Sequence, residues 1–133
     1  MQQTQLLKTQ TAELPAVDAA KKLAGVIGES RVFQNYEKAL QELRGNSEAQ
    51  CLLTDFQQEQ QSYQMRRSWD GATDDDDQQF RQKNEQVFDH PTLKTYFKAQ
   101  EELIMTLKQI DALISEKLGI DFANSAKPAC GCC

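Results

Sequence analysis

The sequence predicts an all-α protein because its apolar residues return every three or four positions over most of the chain, which is the period of one helix face. Residues that begin or end helices, Gly45, Pro91 and Gly119, separate or close these stretches. With 133 residues and a mean hydropathy of −0.67, the single domain has a thin apolar core. A helical bundle completed by oligomerisation fits these constraints.

The longest predicted helix runs from Pro91 to Leu118. Pro91 suits the first turn, where its missing N–H is not needed, and Gly119 favours a C-terminal cap. At about 1.5 Å per residue such a helix is about 40 Å long, and it cannot bury a narrow apolar stripe without partner helices. Three residues of this stripe are expected to be buried against the partner helices, in what we call the main seam: Leu103, Leu107 and Ile110.

The first predicted helical stretch covers Ala16–Leu43 and is interrupted at Gly28–Ser30. The interruption leaves two alternatives open. Ser30 caps a second helical segment, or one continuous helix tolerates Gly28 at a cost of about 1 kcal/mol.

Two more helices are predicted in the middle of the chain. One covers Ser47–Trp69, with Gly45 ending the preceding helix and Ser47 as the N-cap. A shorter helix covers Asp75–Phe88.

The overall charge and the apolar runs exclude some functions. A formal net charge of −5 argues against nucleic acid as a direct ligand, because duplex binding draws most of its affinity from Lys and Arg. No run approaches the roughly 18 apolar residues that span a bilayer, and the N-terminus lacks the pattern of a signal peptide. We therefore expect a cytoplasmic protein, in which thiols are normally reduced.

The acidic run Asp74–Asp77 has two interpretations, a metal site and a helix start. Acidic residues favour the first turn of a helix, where the dipole is positive, and the run lacks the spaced ligands of a calcium loop. We therefore interpret it as a solvated loop and helix start.

Catalytic residues are not found in the sequence. His90 is the single histidine, and its place before Pro91 indicates a boundary or capping residue. Glu101 and Glu102 lie beside lysines and indicate exposed charge. The sequence therefore predicts a protein that is not an enzyme.

Three cysteines, Cys130, Cys132 and Cys133, end the chain after a small and polar segment. Thiolates bind iron–sulfur clusters and soft or borderline metal ions. Zinc ranks below a cluster, because the paired CxxC spacing of many zinc sites is absent. Inert thiols that bind neither are the alternative to both. Cys51 is a weak candidate for a fourth ligand if the tail folds back, or else a small half-buried residue. The three tail cysteines leave one ligand of a four-ligand site to be supplied from elsewhere. If a partner subunit supplied it, assembly would be coupled to cofactor binding.

Five motifs lie within roughly Val17–Phe122: Gly28-Glu29-Ser30-x-x-Phe33-x-x-Tyr36, Ala49-x-x-Leu52-x-x-Phe56, His90-Pro91-x-Leu93-x-x-Tyr96, Ile110-x-x-x-Ile114 and Gly119-Ile120-Asp121-Phe122. In this order and spacing they resemble the YlbF/YmcA family of control-of-competence regulators. The segment Ala129–Cys133 is similar to the Cys-containing tail of the YlbF branch.

The resemblance implies a long antiparallel helical hairpin with an additional N-terminal helix, in a protein that forms a homo-oligomer, either a dimer or a tetramer. It also implies complexes with related family members that assist an endoribonuclease in mRNA maturation and affect competence, sporulation and biofilm formation. Because such complexes carry iron–sulfur clusters, a 4Fe–4S cluster on the tail is expected. The predicted organisation is a flexible lead-in over 1–15, a helical domain over 16–122 and a Cys-containing tail over 123–133. We expect a regulatory adaptor; a metal or cluster carrier and a purely structural helical oligomer are the alternatives.

Overall fold

The structure is a computed structural model that describes residues 14–127. In this range it contains six helices and no strand, which confirms the all-α class. The predicted lead-in, except for its last two residues, and the three tail cysteines lie outside the described range. The helices are α1 (Pro15–Glu29), α2 (Arg31–Arg44), α3 (Ser47–Ser68), α4 (Asp74–Asp89), α5 (Pro91–Leu118) and α6 (Phe122–Ser125).

A break at Ser30 separates α1 from α2, which decides between the two alternatives for the first stretch. Ser30 has extended backbone angles, and its hydroxyl oxygen accepts a hydrogen bond from the N–H of Phe33 at 3.3 Å. The same hydroxyl donates to the carbonyl of Ile27 at 2.6 Å. Ser30 therefore satisfies backbone groups of both helices and begins a second segment.

The turn between α2 and α3 is capped by Asn46, so the prediction that Ser47 is the N-cap was wrong by one position. The side-chain oxygen of Asn46 accepts from the N–H of Ala49 at 3.1 Å, and its amide nitrogen donates to the hydroxyl of Thr92 at 3.2 Å. Asn46 therefore caps α3 and also joins it to the start of α5. Both Ser and Asn are good caps, and the contact with Thr92 is a tertiary feature that local spacing does not reveal.

Helix α5 has the predicted bounds. Pro91 occupies its first turn, and His90 before it has extended backbone angles that separate α5 from α4. At the other end Gly119 adopts a left-handed conformation with φ of 70°, which glycine reaches at little cost.

The apolar core lies where four helices meet. Leu93 of α5 is fully buried and belongs to one apolar cluster with a residue from each of α2, α3 and α4: Leu43, Ala49 and Val87. Half-buried aromatic and leucine side chains surround this cluster: Leu52, Leu53, Phe56, Tyr96 and Phe97. The core is thus small, as the polar composition predicts.

Helices α2 and α5 form the main antiparallel pair, with α3 and α4 inserted between them in the sequence. The end of α2 lies beside the start of α5, and Ala39 and Ala99 face each other further along. In the second half of α5 the expected seam is only partly covered. Leu103 and Ile110 are half-buried, whereas the side chain of Leu107 is 43% exposed.

Replacing Leu93 by Ala should lower the free energy of unfolding by about 2–5 kcal/mol, because the side chain is fully buried and its loss leaves a cavity. Met65→Ala is the matched control, since Met65 is 65% exposed and its truncation should change stability by less than about 0.5 kcal/mol. Urea unfolding followed by circular dichroism measures both. Equal stability of the Leu93 variant and the parent would place the core elsewhere.

Candidate functional site

The candidate ligands are divided between the described and undescribed parts of the chain. Cys130, Cys132 and Cys133 lie outside the described residues. Cys51 lies in the first turns of α3 and is exposed. Within residues 14–127, no group of three or more His, Cys, Asp or Glu side chains is arranged to hold a metal ion.

Cys51 and the root of the tail lie near opposite ends of α5. Asn46, five residues before Cys51, donates to Thr92, whereas the N–H of Ala123 in α6 donates to the carboxylate of Asp111 at 3.2 Å. Thr92 and Asp111 are separated by about 28 Å along the helix axis. The six residues after Lys127 span about 20 Å when fully extended. The separation exceeds the reach of these residues, so the geometry disfavours a ligand set that joins Cys51 to the three tail cysteines of the same chain.

The acidic run begins α4, as predicted. Thr73 is the N-cap, and its hydroxyl accepts from the N–H of Asp76 while the Asp76 carboxylate accepts from the N–H of Thr73 at 2.9 Å. These two bonds form a capping box. The Thr73 N–H and the Thr73 hydroxyl both donate to the Asp76 carboxylate and so lower the pKa of Asp76 below its usual value, with a smaller contribution from the Arg66 guanidinium. The Thr-x-x-Asp spacing is the sequence signal that identifies this cap.

The same run also holds α4 against α3, a role that the sequence analysis missed. Arg66 of α3 donates to Glu59 at 3.0 Å and lies 3.7 Å from Asp76, and Lys83 of α4 lies 3.3 Å from Glu59. The hydrogen bond from Arg66 is the main reason that the pKa of Glu59 is lowered. Four charges on two helices thus form one network, whose geometry depends on the pairing of α3 with α4.

Aromatic side chains continue this contact towards α5. The Tyr63 hydroxyl donates to the Asp77 carboxylate, which raises the pKa of Tyr63, and the ring of Tyr63 stacks on Phe80 at a centroid distance of 4.4 Å. Further neighbouring rings link α3, α4, α5 and α2 in one row: Phe56, Phe88, Phe97, Tyr96 and Tyr36. Burial raises the pKa of Tyr96, and the Tyr36 hydroxyl adds to the shift.

His90 is a boundary residue, as predicted, but its side chain does not cap α5. Its carbonyl accepts from the N–H of Lys94 at 2.8 Å, which begins the helix. The side-chain Nδ1 is buried and has no hydrogen-bond partner among the described residues. The boundary role therefore comes from the backbone of His90 and from the Pro91 ring.

A groove of about 490 Å³ runs between α2 and α5. Ala39 and Ala99 form its floor, and its sides carry basic and acidic side chains with two small polar residues and one valine: Arg31, Lys38, Lys98, Glu42, Glu102, Asn35, Thr95 and Val32. None of its charged groups forms an ion pair with another residue of the range 14–127. Such an open groove suits contact with another helix or a peptide.

Large apolar side chains are exposed on α1 and on the second half of α5. Helix α1 buries none of its residues, and the buried residues of α5 are Leu93 and Ala99, both near its start. The exposed set comprises Leu23 and Val26 on α1, and Ile104, Met105, Leu107, Leu113 and Leu118 on α5. Large apolar side chains that remain exposed in a polar protein favour contact with another protein.

These features define a small all-α protein whose distinctive surfaces are helix faces. Within residues 14–127, no helix is both long and apolar enough to cross a membrane. A family model described as "Control of competence regulator ComK, YlbF/YmcA" matches residues 16–119. The chain therefore belongs to the YlbF/YmcA family of regulators, which confirms the resemblance inferred from its motifs.

One curated relative is the UPF0342 protein DSY1594 of Desulfitobacterium hafniense (strain Y51). It is 28% identical to this chain over 112 residues, which are 84% of each protein. No solved structure gives a significant match.

The charge network between α3 and α4 should make stability depend on acid pH. Because the pKa values of Asp76 and Glu59 are lowered in the folded state, their stabilising effect is complete above their ordinary values of 3.8 and 4.5. It is lost as the pH falls through the lowered values. We expect Asp76→Asn to reduce the loss of thermal stability between neutral pH and about pH 3.

Asp74→Asn is the matched control, because it removes an equal charge from the same helical turn without touching Arg66. Thermal unfolding at both pH values compares the two variants. Identical acid sensitivity of Asp76→Asn and Asp74→Asn would contradict a special role of the Asp76 carboxylate.

Proposed function

We propose that the protein is a non-enzymatic regulatory adaptor that assembles through exposed helix faces. Its partners are further copies of itself, related family members and, through these, an endoribonuclease complex that acts in mRNA maturation and so affects competence, sporulation and biofilm formation. The observation that carries the proposal is the unburied apolar surface of α1 and of the second half of α5. Membership of a family of regulators supports it.

The energetics of this surface favour stable assembly. Apolar area removed from water contributes roughly 25 cal/mol per Å², so covering several leucines and isoleucines stabilises a complex substantially. Within residues 14–127, the structure offers no comparable constellation of catalytic side chains: the single histidine lies at a helix boundary, and the groove between α2 and α5 is lined by scattered charges. The proposed adaptor function therefore uses the exposed apolar faces of α1 and of the second half of α5.

We further propose that the cysteine tail holds a 4Fe–4S cluster. The donor set fits this group, because three closely spaced thiolates are soft ligands and the tail begins beside Asp111, on an exposed part of α5. Cys130, Cys132 and Cys133 would supply three ligands. The position of Cys51 near the other end of α5 favours a fourth ligand from another chain.

When bound, a cluster supplies a group that responds to oxidants and to iron supply. The tail thiolates bind it, and the fold-back of α6 onto Asp111 and Ser115 holds the root of the tail against α5, close to the exposed apolar surface. Cofactor binding and partner binding would then occur on neighbouring parts of the molecule. Zinc on the same thiolates is the second candidate for the bound group.

Replacing Cys130, Cys132 and Cys133 together by Ser should abolish cofactor binding and leave the helical fold intact, because serine lacks the soft thiolate donor. Cys51→Ser is the matched control and should retain the cofactor. Anaerobic purification followed by visible absorption and by iron, sulfide and zinc analysis measures the bound group. A triple variant that binds as much iron or zinc as the parent would overturn the site.

The adaptor role is tested by capture of defined partners in the source organism. A tagged chain with Leu107→Glu and Leu118→Glu should lose its association with a second YlbF/YmcA-family protein and with the endoribonuclease, whereas Met65→Glu should retain both. These substitutions place charge on exposed apolar positions of α5 and of α3, respectively. The parent chain must capture the same partners reciprocally when they carry the tag.

Two results would contradict the adaptor role. One is capture of neither partner by the parent chain. The other is transfer of the cluster to an apo-protein without lasting association, which would favour the cluster carrier instead. Loss of the cofactor in the triple cysteine variant with unchanged partner capture would separate the adaptor role from the cluster.

A further inference from the structure

Helices α2 and α5 carry the same short sequence pattern on the two walls of the groove described above. Residues 95–103 repeat residues 35–43, with identical residues at five of the nine positions. The identical pairs are Tyr36 and Tyr96, Lys38 and Lys98, Ala39 and Ala99, Glu42 and Glu102, and Leu43 and Leu103. In both segments the alanine is buried, whereas the lysine and the glutamate are exposed. The two walls are therefore nearly equivalent surfaces.

The antiparallel pairing relates the two walls by a half-turn. Ala39 and Ala99 are equivalent in the repeat, and they also lie opposite each other on the floor of the groove. A two-fold axis between these alanines thus exchanges α2 with α5. Tyr36 and Tyr96 are exchanged by the same axis, and their ring centroids lie 6.0 Å apart. The central part of the groove consequently looks the same from either end.

The walls present four charges in reversed order. A helical side chain leans about one position towards the N-terminus of its own helix. In the antiparallel register this brings Lys38 level with Glu102, and Glu42 level with Lys98 about one helical turn further along. All four are exposed, and none forms an ion pair with another residue of the range 14–127. Arg31 lies outside the repeated segments. Each level of the groove therefore has a base on one wall and an acid on the other.

A helix lying in the groove meets these charges in one order only. Residues four apart share a helix face, and adjacent residues diverge by about 100°. Seen from the groove with α2 pointing upwards, α5 lies on the right, because Ala39 faces α5 and follows Lys38 by one position of a right-handed helix. A helix that enters the groove in the same direction therefore turns one residue towards α5 and the next towards α2.

The complementary order of charges follows from this geometry. The first two residues are a base towards Glu102 and an acid towards Lys38. One turn later an acid lies towards Lys98 and a base towards Glu42. The matching order is base-acid-x-x-acid-base, and the two-fold axis makes it the same for a helix that runs the other way.

We propose that this groove binds one helix of a partner protein that carries the order base-acid-x-x-acid-base on one face. The alanine floor supports the contact, because small residues allow two helices to approach closely. Exposed charge pairs add little affinity one by one, but they select the partner and its register. The groove lies apart from the apolar faces of α1 and of the second half of α5, so loss of binding in the groove would leave the adaptor role untouched.

An exchange of charges between chain and peptide tests the proposal. The first probe is an alanine-based peptide of about 18 residues, a length that favours helix, with Lys-Glu-Ala-Ala-Glu-Lys at its centre. The second peptide has Glu-Lys-Ala-Ala-Lys-Glu there, with the same composition and net charge. The swapped chain carries Lys38→Glu, Lys98→Glu, Glu42→Lys and Glu102→Lys, and its net charge equals that of the parent.

We expect the parent to bind the first peptide at least about tenfold more tightly than the second, because four weak pairs act together. The swapped chain should show the opposite preference. A milder variant, Lys38→Gln with Lys98→Gln, should lose the preference without reversing it. Fluorescence anisotropy of labelled peptides at low ionic strength measures binding, since salt screens exposed charges. Circular dichroism checks that the variants are folded, and Met65→Glu on α3 is the control chain, which should bind as the parent does.

The outcomes separate this occupant from others. A parent that binds neither peptide at millimolar concentration, or binds both equally, would overturn the proposal. A chain without residues 1–13 that binds the first peptide far more tightly than the full chain would assign the groove to that segment instead. Dissociation of parent oligomers by the first peptide, but not by the second, would assign it to a second copy.

Discussion

The burial of Leu93 against Leu43, Ala49 and Val87 is the contact on which the arrangement of the helices depends. Each of these residues belongs to a different helix, and each lies next to a turn or break in the chain. The short connections at Asn46 and His90 therefore bring four helices to one point, and a small apolar cluster joins them. With so few fully buried side chains, the fold depends on the precise placement of these connections more than on the volume of its core.

Away from the apolar cluster around Leu93, each pair of helices is stabilised by a different kind of contact. The pair α3 and α4 combines stacked aromatic rings with a network of four charged side chains, whereas α2 and α5 approach closely at Ala39 and Ala99. The contact between α3 and α4 is expected to weaken at acid pH, because the pKa values of Glu59 and Asp76 are lowered in the folded state. The apolar stripe of α5 continues past its covered part, and the proposed assembly rests on this uncovered apolar surface.

The proposed function joins two surfaces that the fold places close together. The exposed second half of α5 offers contact area, and the fold-back of α6 brings the start of the cysteine tail to the same region. In the proposed function the protein would act by holding other proteins together. Its regulation would then depend on what the tail binds, since a ligand supplied by a second chain makes cofactor binding and assembly mutually dependent.

Local residue chemistry determined the helices: the apolar period, Pro91 and Gly119 predicted the bounds of α5, and Ser30 offered the break that the structure contains. The YlbF/YmcA motifs could also be recognised, because helix caps and core spacing are local properties. Tertiary structure alone decided that Asn46 bonds to Thr92, that Asp76 meets Arg66, and that Cys51 lies far from the root of the tail. It also decided that Leu107, which shares the helical face of buried residues, is left uncovered. The reason is physical: periodicity specifies which face of a helix is apolar, but the direction in which each turn sends the next helix specifies what covers that face.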